Sequence, residues 1–177
     1  TVSNGASLTV EVSNVDLSNA ASVDVAGSLT LQNSGTSSHS SNINVNLLDN
    51  GKLTLQKNVT LSRATATGNS NTLNMDSTSV IETFTLNGGN LDFTAGTINT
   101  LTNDSGAAAA GKGAAFGAVI NSGVFTLDGG RADSISSSDN LTVNSGFVET
   151  VVVSGGSLTI SGGNINTVEN SGTAAFN

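Results

Sequence analysis

Few residues in this chain of 177 have the type and spacing to do chemistry. Asp133 and Glu149 lie 16 residues apart. If the chain repeats at that period, the two carboxylates fall on neighbouring layers, with Cα atoms about 4.8 Å apart. Acids near 5 Å suit the nucleophile and proton donor of a retaining glycosidase, or half of an oxygen-ligand site for calcium. Arg131 is the nearby cation. Alone it is thin support for a polysaccharide lyase, which needs several acids with Arg or Lys beside them. Both carboxylates would also point the same way from a convex surface, with no aromatic platform for sugar. Solvated surface residues are therefore the stronger reading of this acidic pair.

Other motifs weaken in the same way. Gly106 to Lys112 (GAAAAGK) matches a phosphate-binding loop up to its lysine, but Gly113 stands where Ser or Thr should hold magnesium, and no strand-helix-strand context surrounds it. Gly129 to Asp133 (GGRAD) follows a calcium-binding nonapeptide except at Ala132, and does not recur. His39 is the one histidine, in a Ser-rich stretch, without partners for a catalytic triad. Asn58, Asn103 and Asn140 begin Asn-x-Ser/Thr sequons, acceptors only in a host that glycosylates them. No pattern calls for a cofactor or a metal.

The elements that position these residues are repeats. Leu141-Thr142-Val143 returns as Leu158-Thr159-Ile160, each followed by a Gly-containing turn. Alternating Leu, Thr and Val read as strand, and Ser-Gly or Gly-Gly as a break. Copies begin at residues 8, 29, 53, 73, 91, 107, 125, 141, 158 and 174, marking nine units of 16–24 residues. A second strand follows at a steady offset. Val80 to Phe84 matches Phe147 to Val151, Ile98 to Leu101 matches Ile165 to Val168, and Ala132 to Ile135 is a poorer copy. A unit this short cannot bury an apolar face alone. Stacked coils can, each strand pairing in parallel with its copy in the next coil. The expectation is an all-β, single-stranded parallel β-helix of about nine coils forming one domain over residues 1–177. Coils are longer over 1–72, with turn insertions at 35–41 and 62–71, and regular at about 17 residues over 73–177. Irregular coil length favours the right-handed form. Ala107 to Val124 reads as a thin coil or a loop excursion, since four glycines oppose a helix at about 1 kcal/mol each.

Alternation turns the Leu and Val of each first strand inward and its middle residue outward. The outward ladder runs Thr9, Thr30, Thr54, Asn74, Asp92, Ala108, Thr126, Thr142, Thr159. Thr126, Thr142 and Thr159 are the candidate self-association residues. A second outward column holds Glu82, Asn99, Ala115, Asp133, Glu149 and Asn166. Flat Thr arrays also raise ice binding. Asn74, Asp92 and Ala108 interrupt this one, and paired Thr-x-Thr strands are scarce, with Thr65-Ala66-Thr67 isolated.

Composition narrows the function. Charged residues are 10% of the chain, against roughly 25% in ordinary soluble domains. Net charge is −8, and the five basic residues are scattered, which opposes nucleic-acid binding. No apolar run reaches the roughly 18 residues of a membrane span. With no Cys there is no disulfide or thiolate site, and with no Pro the strand ladders keep their donors. The pattern starts and stops with the chain, as expected of an excised piece of a longer solenoid or of units stacking end to end.

Residues 154–173, SGGSLTISGGNINTVENSGT, resemble the repeats of bacterial autotransporter passenger domains, particularly the self-associating adhesin type. Those families place Ser-Gly-Gly or Asn-Gly-Gly turns between short Val/Leu/Thr strands at a comparable period. The likeness covers residues 84–177 well and the N-terminal third loosely. It implies a right-handed parallel β-helix, secreted to the bacterial cell surface, with roles in adhesion, aggregation or biofilm. The partner it implies is another copy of the chain, with host or surface glycans as a further candidate. The expected function is thus a non-enzymatic adhesin stalk or filament subunit. A carbohydrate-active enzyme on the same fold is the alternative, and ice binding a lesser one.

Overall fold

The computed structural model of the chain describes residues 1–12 and 22–176. Its strands are β1 (Ser7–Glu11), β2 (Val23–Val25), β3 (Ser28–Gln32), β4 (His39–Leu47), β5 (Lys52–Leu55), β6 (Val59–Ala66), β7 (Asn71–Met75), β8 (Val80–Leu86), β9 (Asn90–Asn103), β10 (Ala107–Asn121), β11 (Val124–Ser137), β12 (Leu141–Val153), β13 (Ser157–Ile160), β14 (Asn164–Asn170) and β15 (Thr173–Phe176). Every pairing between them is parallel, as stacking of successive coils requires. One face runs β1-β3-β5-β7-β9-β10-β11-β12-β13-β15, ten layers and hence nine coil steps. The other runs β2-β4-β6-β8 and continues through the second halves of β9 to β12 into β14. The chain is a parallel β-solenoid of about nine turns. In four coils the two faces belong to one long strand that bends, and elsewhere they are separate strands.

Glycine makes the bend sharp. Gly146 and Gly163 have φ of 105° and 88°, and a Cβ on either would stand 2.7–2.8 Å from the carbonyl oxygen of the glycine one coil below. Only a residue without Cβ permits both the left-handed conformation and that approach.

The core is a stack of aliphatic side chains with phenylalanines where neighbours are small. Ala108 and Ala110 are buried inside β10, which is a full coil paired on both sides and not a loop excursion. Phe116 fills the space they leave. Its ring meets Phe93 at 5.5 Å and Phe125 at 5.7 Å, both edge to face, and it stacks between Ile98 and the small Ala132. Large beside small keeps the core at constant thickness.

Register corrects two repeat assignments. Leu91 pairs with Ala108 and not Ala107, so the outward member of that triplet is Ala109, on an exposed site beside Asp92. Leu73 pairs with Phe93, 20 residues on, and not with Leu91. Before that step the inward pair is the first and third residue of Leu53-Thr54-Leu55 and Leu73-Asn74-Met75. After it, Leu91 continues a column begun by Asn71. The apolar stripe therefore steps sideways by one inward position, about 6.6 Å. The step leaves traces. Met75, last in its column, is the most exposed core residue at 8%, and a cleft of about 370 Å³ opens beside it, lined by Thr54, Gln56, Lys57 and Asp76 among others. Asn71 is buried with its Nδ2 donating to Gly68 O at 2.6 Å and its Oδ1 without a partner.

The expected insertions are smaller than the sequence suggested. Residues 62–66 lie in β6, leaving only 67–70 as a turn. His39 opens β4 beside Val59, half-buried and not in a loop.

Candidate functional site

The acidic pair sits at a corner. In β8 the order is Ile81 in, Glu82 and Thr83 out, Phe84 in. Two successive outward residues mark a bend, and the same order recurs at Ala132 to Ile135 and Val148 to Val151. Ala132 pairs with Val148 and Ser134 with Thr150, so Asp133 and Glu149 are lateral neighbours, as expected. The residue beneath Asp133 is Gly117 and not Ala115, because Phe116 pairs with Ala132 and Ala118 with Ser134. Gly117 leaves a gap in the column, a shallow depression of about 250 Å³ bordered by Asn99, Arg131 and Asp133.

Each carboxylate here has its own partner. Arg131 Nη2 donates to Asp133 Oδ1 at 2.6 Å, both side chains more than half exposed (62% and 57%). The guanidinium also stands 5.8 Å from the centre of the Phe147 ring on the next coil, a cation–π contact. Asn166 Nδ2 donates to Glu149 Oε2 at 2.9 Å, and Asn99 Nδ2 to Glu82 Oε2 at 2.5 Å. The column is a ladder of acid–amide and acid–guanidinium contacts between solvated side chains, each worth at most about 1 kcal/mol. Among the described residues no three His, Cys, Asp or Glu side chains gather to hold a metal.

The remaining motifs are accounted for by strand pairing. Gly106 to Lys112 runs into β10, whose backbone is paired with β9 and β11 apart from a bulge after Ala110. Ala107 to Ala110 pair within the sheet and the Gly106 N–H donates to Asn103 Oδ1, so these groups form no cradle for phosphate. Gly129 and Gly130 take φ of 113° and 75° at the bend of β11. Of the sequon residues, Asn140 is exposed and Asn58 half-buried, but Asn103 is fully buried. No glycan could be attached to Asn103 in the folded chain.

Asn103 instead belongs to an inner ladder that the sequence reading missed. Its Nδ2 donates to Asn121 Oδ1 (2.7 Å), Gly106 O (3.1 Å) and Val124 O (3.1 Å), and its Oδ1 accepts from Gly106 N (2.9 Å). Asn121 repeats this one coil on, donating to Ser137 Oγ (2.8 Å), Gly123 O (2.8 Å) and Asn140 O (3.2 Å). Asn170 holds the turn to Gly172 in the same way. Asn-(x)-Ser-Gly looks like turn chemistry. At Asn103 and Asn121 the asparagine points inward and ties one turn to the next, whereas Asn144 and Asn170 are exposed.

Two flat faces remain. On the first, Ala109, Thr126, Thr142, Thr159 and Ala175 form one outward column in consecutive register. The three threonines are half-buried, and Val124 beside Thr126 is 44% exposed. On the second, Thr83, Thr100, Ala118, Ser134, Thr150 and Thr167 form one column, and Thr85, Thr102, Ile120, Ser136, Val152 and Glu169 the next. The threonine pairs thought scarce are therefore present here, as Thr83-Phe84-Thr85 and Thr100-Leu101-Thr102, on adjacent coils. No protein-family model, curated protein or solved structure matches this chain.

Proposed function

We propose that the chain is a non-enzymatic structural protein of the bacterial cell surface, a solenoid that associates with copies of itself as an adhesin stalk or filament subunit. The observation that carries this reading is the column Ala109, Thr126, Thr142, Thr159, Ala175, uncharged over five coils in a chain of net charge −8. Like-charge repulsion keeps most acidic chains apart. Here the five positions that follow Asp92 in the column carry no charge. Threonine offers a methyl group for contact and a hydroxyl that both donates and accepts, so the same surface is complementary to itself. The resemblance of residues 154–173 to adhesin repeats points to the same use.

The test places charge in that column without stacking like charges on neighbouring coils, using the triple variant Thr126→Lys, Thr142→Glu, Thr159→Lys. The native chain is expected to sediment as assemblies that grow with concentration. The variant should stay monomeric with an unchanged β-sheet circular dichroism spectrum. A folded variant that associates as the native chain does would overturn this assignment.

A further inference from the structure

The second face has properties that self-association does not require. From Thr83 to Val152 its two columns span five coils, and no register shift interrupts them. Every charged group is excluded from those positions, with Arg63 and Glu169 lying just beyond the two ends. Neighbouring coils place equivalent side chains about 4.8 Å apart, and residues two apart in a strand are separated by about 6.6 Å. The result is a rectangular net of methyl and hydroxyl groups. Among the described residues, none of the hydroxyls of Thr83, Thr85, Thr100 and Thr102 is used in a hydrogen bond within the chain, whereas that of Thr78 is held by Asp76. All four are half-buried, so their rotamers are restrained while their hydroxyls reach water.

Size and chemistry decide what such a surface can hold. Five coils by two outward positions cover roughly 320 Å². A stable protein interface needs about 800 Å² on each partner, so neither this strip nor the single column of the first face seats another copy without the surface around it. A soluble anion or cation finds no charge here, and a sugar finds no aromatic platform. Ice meets these conditions. It is a rigid, extended lattice of hydrogen-bond donors and acceptors, and its prism faces repeat at spacings close to the two spacings of this net. Such a net offers water bridging sites at hydroxyls whose rotamers are restrained, with methyl groups between them.

We propose that the face of Thr83, Thr85, Thr100 and Thr102 binds ice, through a layer of water held at the spacing of the side-chain net. The inference is independent of the self-association reading, which rests on the first face. The experiment grows single ice crystals, and separately anneals polycrystalline ice, in solutions of the purified chain. Faceted crystals and arrested recrystallisation are expected at micromolar protein. Thr100→Tyr and Thr102→Lys should each abolish both effects while circular dichroism is unchanged. Ser77→Lys, at an exposed turn outside this net, should leave them intact. Round crystals and ordinary coarsening with the native chain would overturn the proposal. So would equal loss of activity in Ser77→Lys, or Thr100→Tyr and Thr102→Lys variants that change sedimentation but not ice growth.

Discussion

The face of Thr142 and the face of Thr100 share every coil, yet they respond differently to a change in coil length. Successive copies stand 20 residues apart at the Leu73–Phe93 step and 17 apart at Leu91–Ala108. On the second face this change leaves no trace. Leu47, Ala66, Leu86, Asn103 and Asn121 continue one column straight through it. The first face absorbs it by moving its apolar pair sideways, so that Asn71 begins a column and Met75 ends one. A solenoid can thus keep one surface periodic only by letting another carry the irregularity. Two asparagines reflect this, while Ser41 Oγ in β4 of the second face is a further buried atom without a partner. Asn121 is buried with donors and acceptors satisfied, while Asn71 is buried with its Oδ1 unpaired.

The largest expected effect tests what both faces rest on. Phe116→Ala should cost about 3–5 kcal/mol, because Ala108 and Ala110 cannot close the cavity it leaves. Denaturant melts measure this, and a loss below about 1 kcal/mol would mean that Phe116 does not support the alanine coil. The next effect separates the faces. Asn121→Ala strands several turn groups and should cost about 1–3 kcal/mol. Asn71→Ala removes one bond along with one unsatisfied atom, so its cost in the same melts should be clearly smaller. Equal costs would erase the distinction drawn between the faces. A smaller effect belongs to the corner. Arg131→Ala should shift stability by at most about 1 kcal/mol, and less as salt rises, if the Asp133 contact is a solvated surface pair. A larger, salt-independent loss would give the acidic pair a structural weight not assigned to it here.

The smallest effect is in pH. The hydroxyl and backbone N–H of Thr78 donate to Asp76 at 2.6 and 2.9 Å and hold its carboxyl below the usual carboxylate range. The folded chain therefore binds that proton more weakly than the unfolded chain. The contribution is complete above the ordinary carboxylate pKa and is lost as pH falls through the depressed value. Asp76→Asn should flatten only that acid limb of the stability profile, without altering stability differences between pH 6 and 8. This turn borders the seam cleft of the first face, so no matching change is expected on the second.

Much of this arrangement follows from residue order, and the exceptions have physical causes. Strand period, the second strand and the Gly146 and Gly163 turns are set by alternation and backbone freedom, both local properties. Stacking is not local. Leu73 and Leu91 both begin apolar-polar-apolar triplets, and nothing within either tells which inward position it shares with its neighbour. An alanine run has no contrast between inward and outward residues, so Ala107 and Ala108 could not be told apart. Thr83 and Thr100 were missed because a corner places two outward residues in succession and resets the alternation. Asn103 reads in sequence only as a sequon and Asn121 not at all, because their burial depends on partners in the next coil.

Electron microscopy of the purified chain over a range of concentrations tests the proposed self-association of this solenoid. Bundles or filaments are expected, their number rising with concentration and their strands running perpendicular to the long axis. Single rods that remain separate at the highest concentration would contradict it.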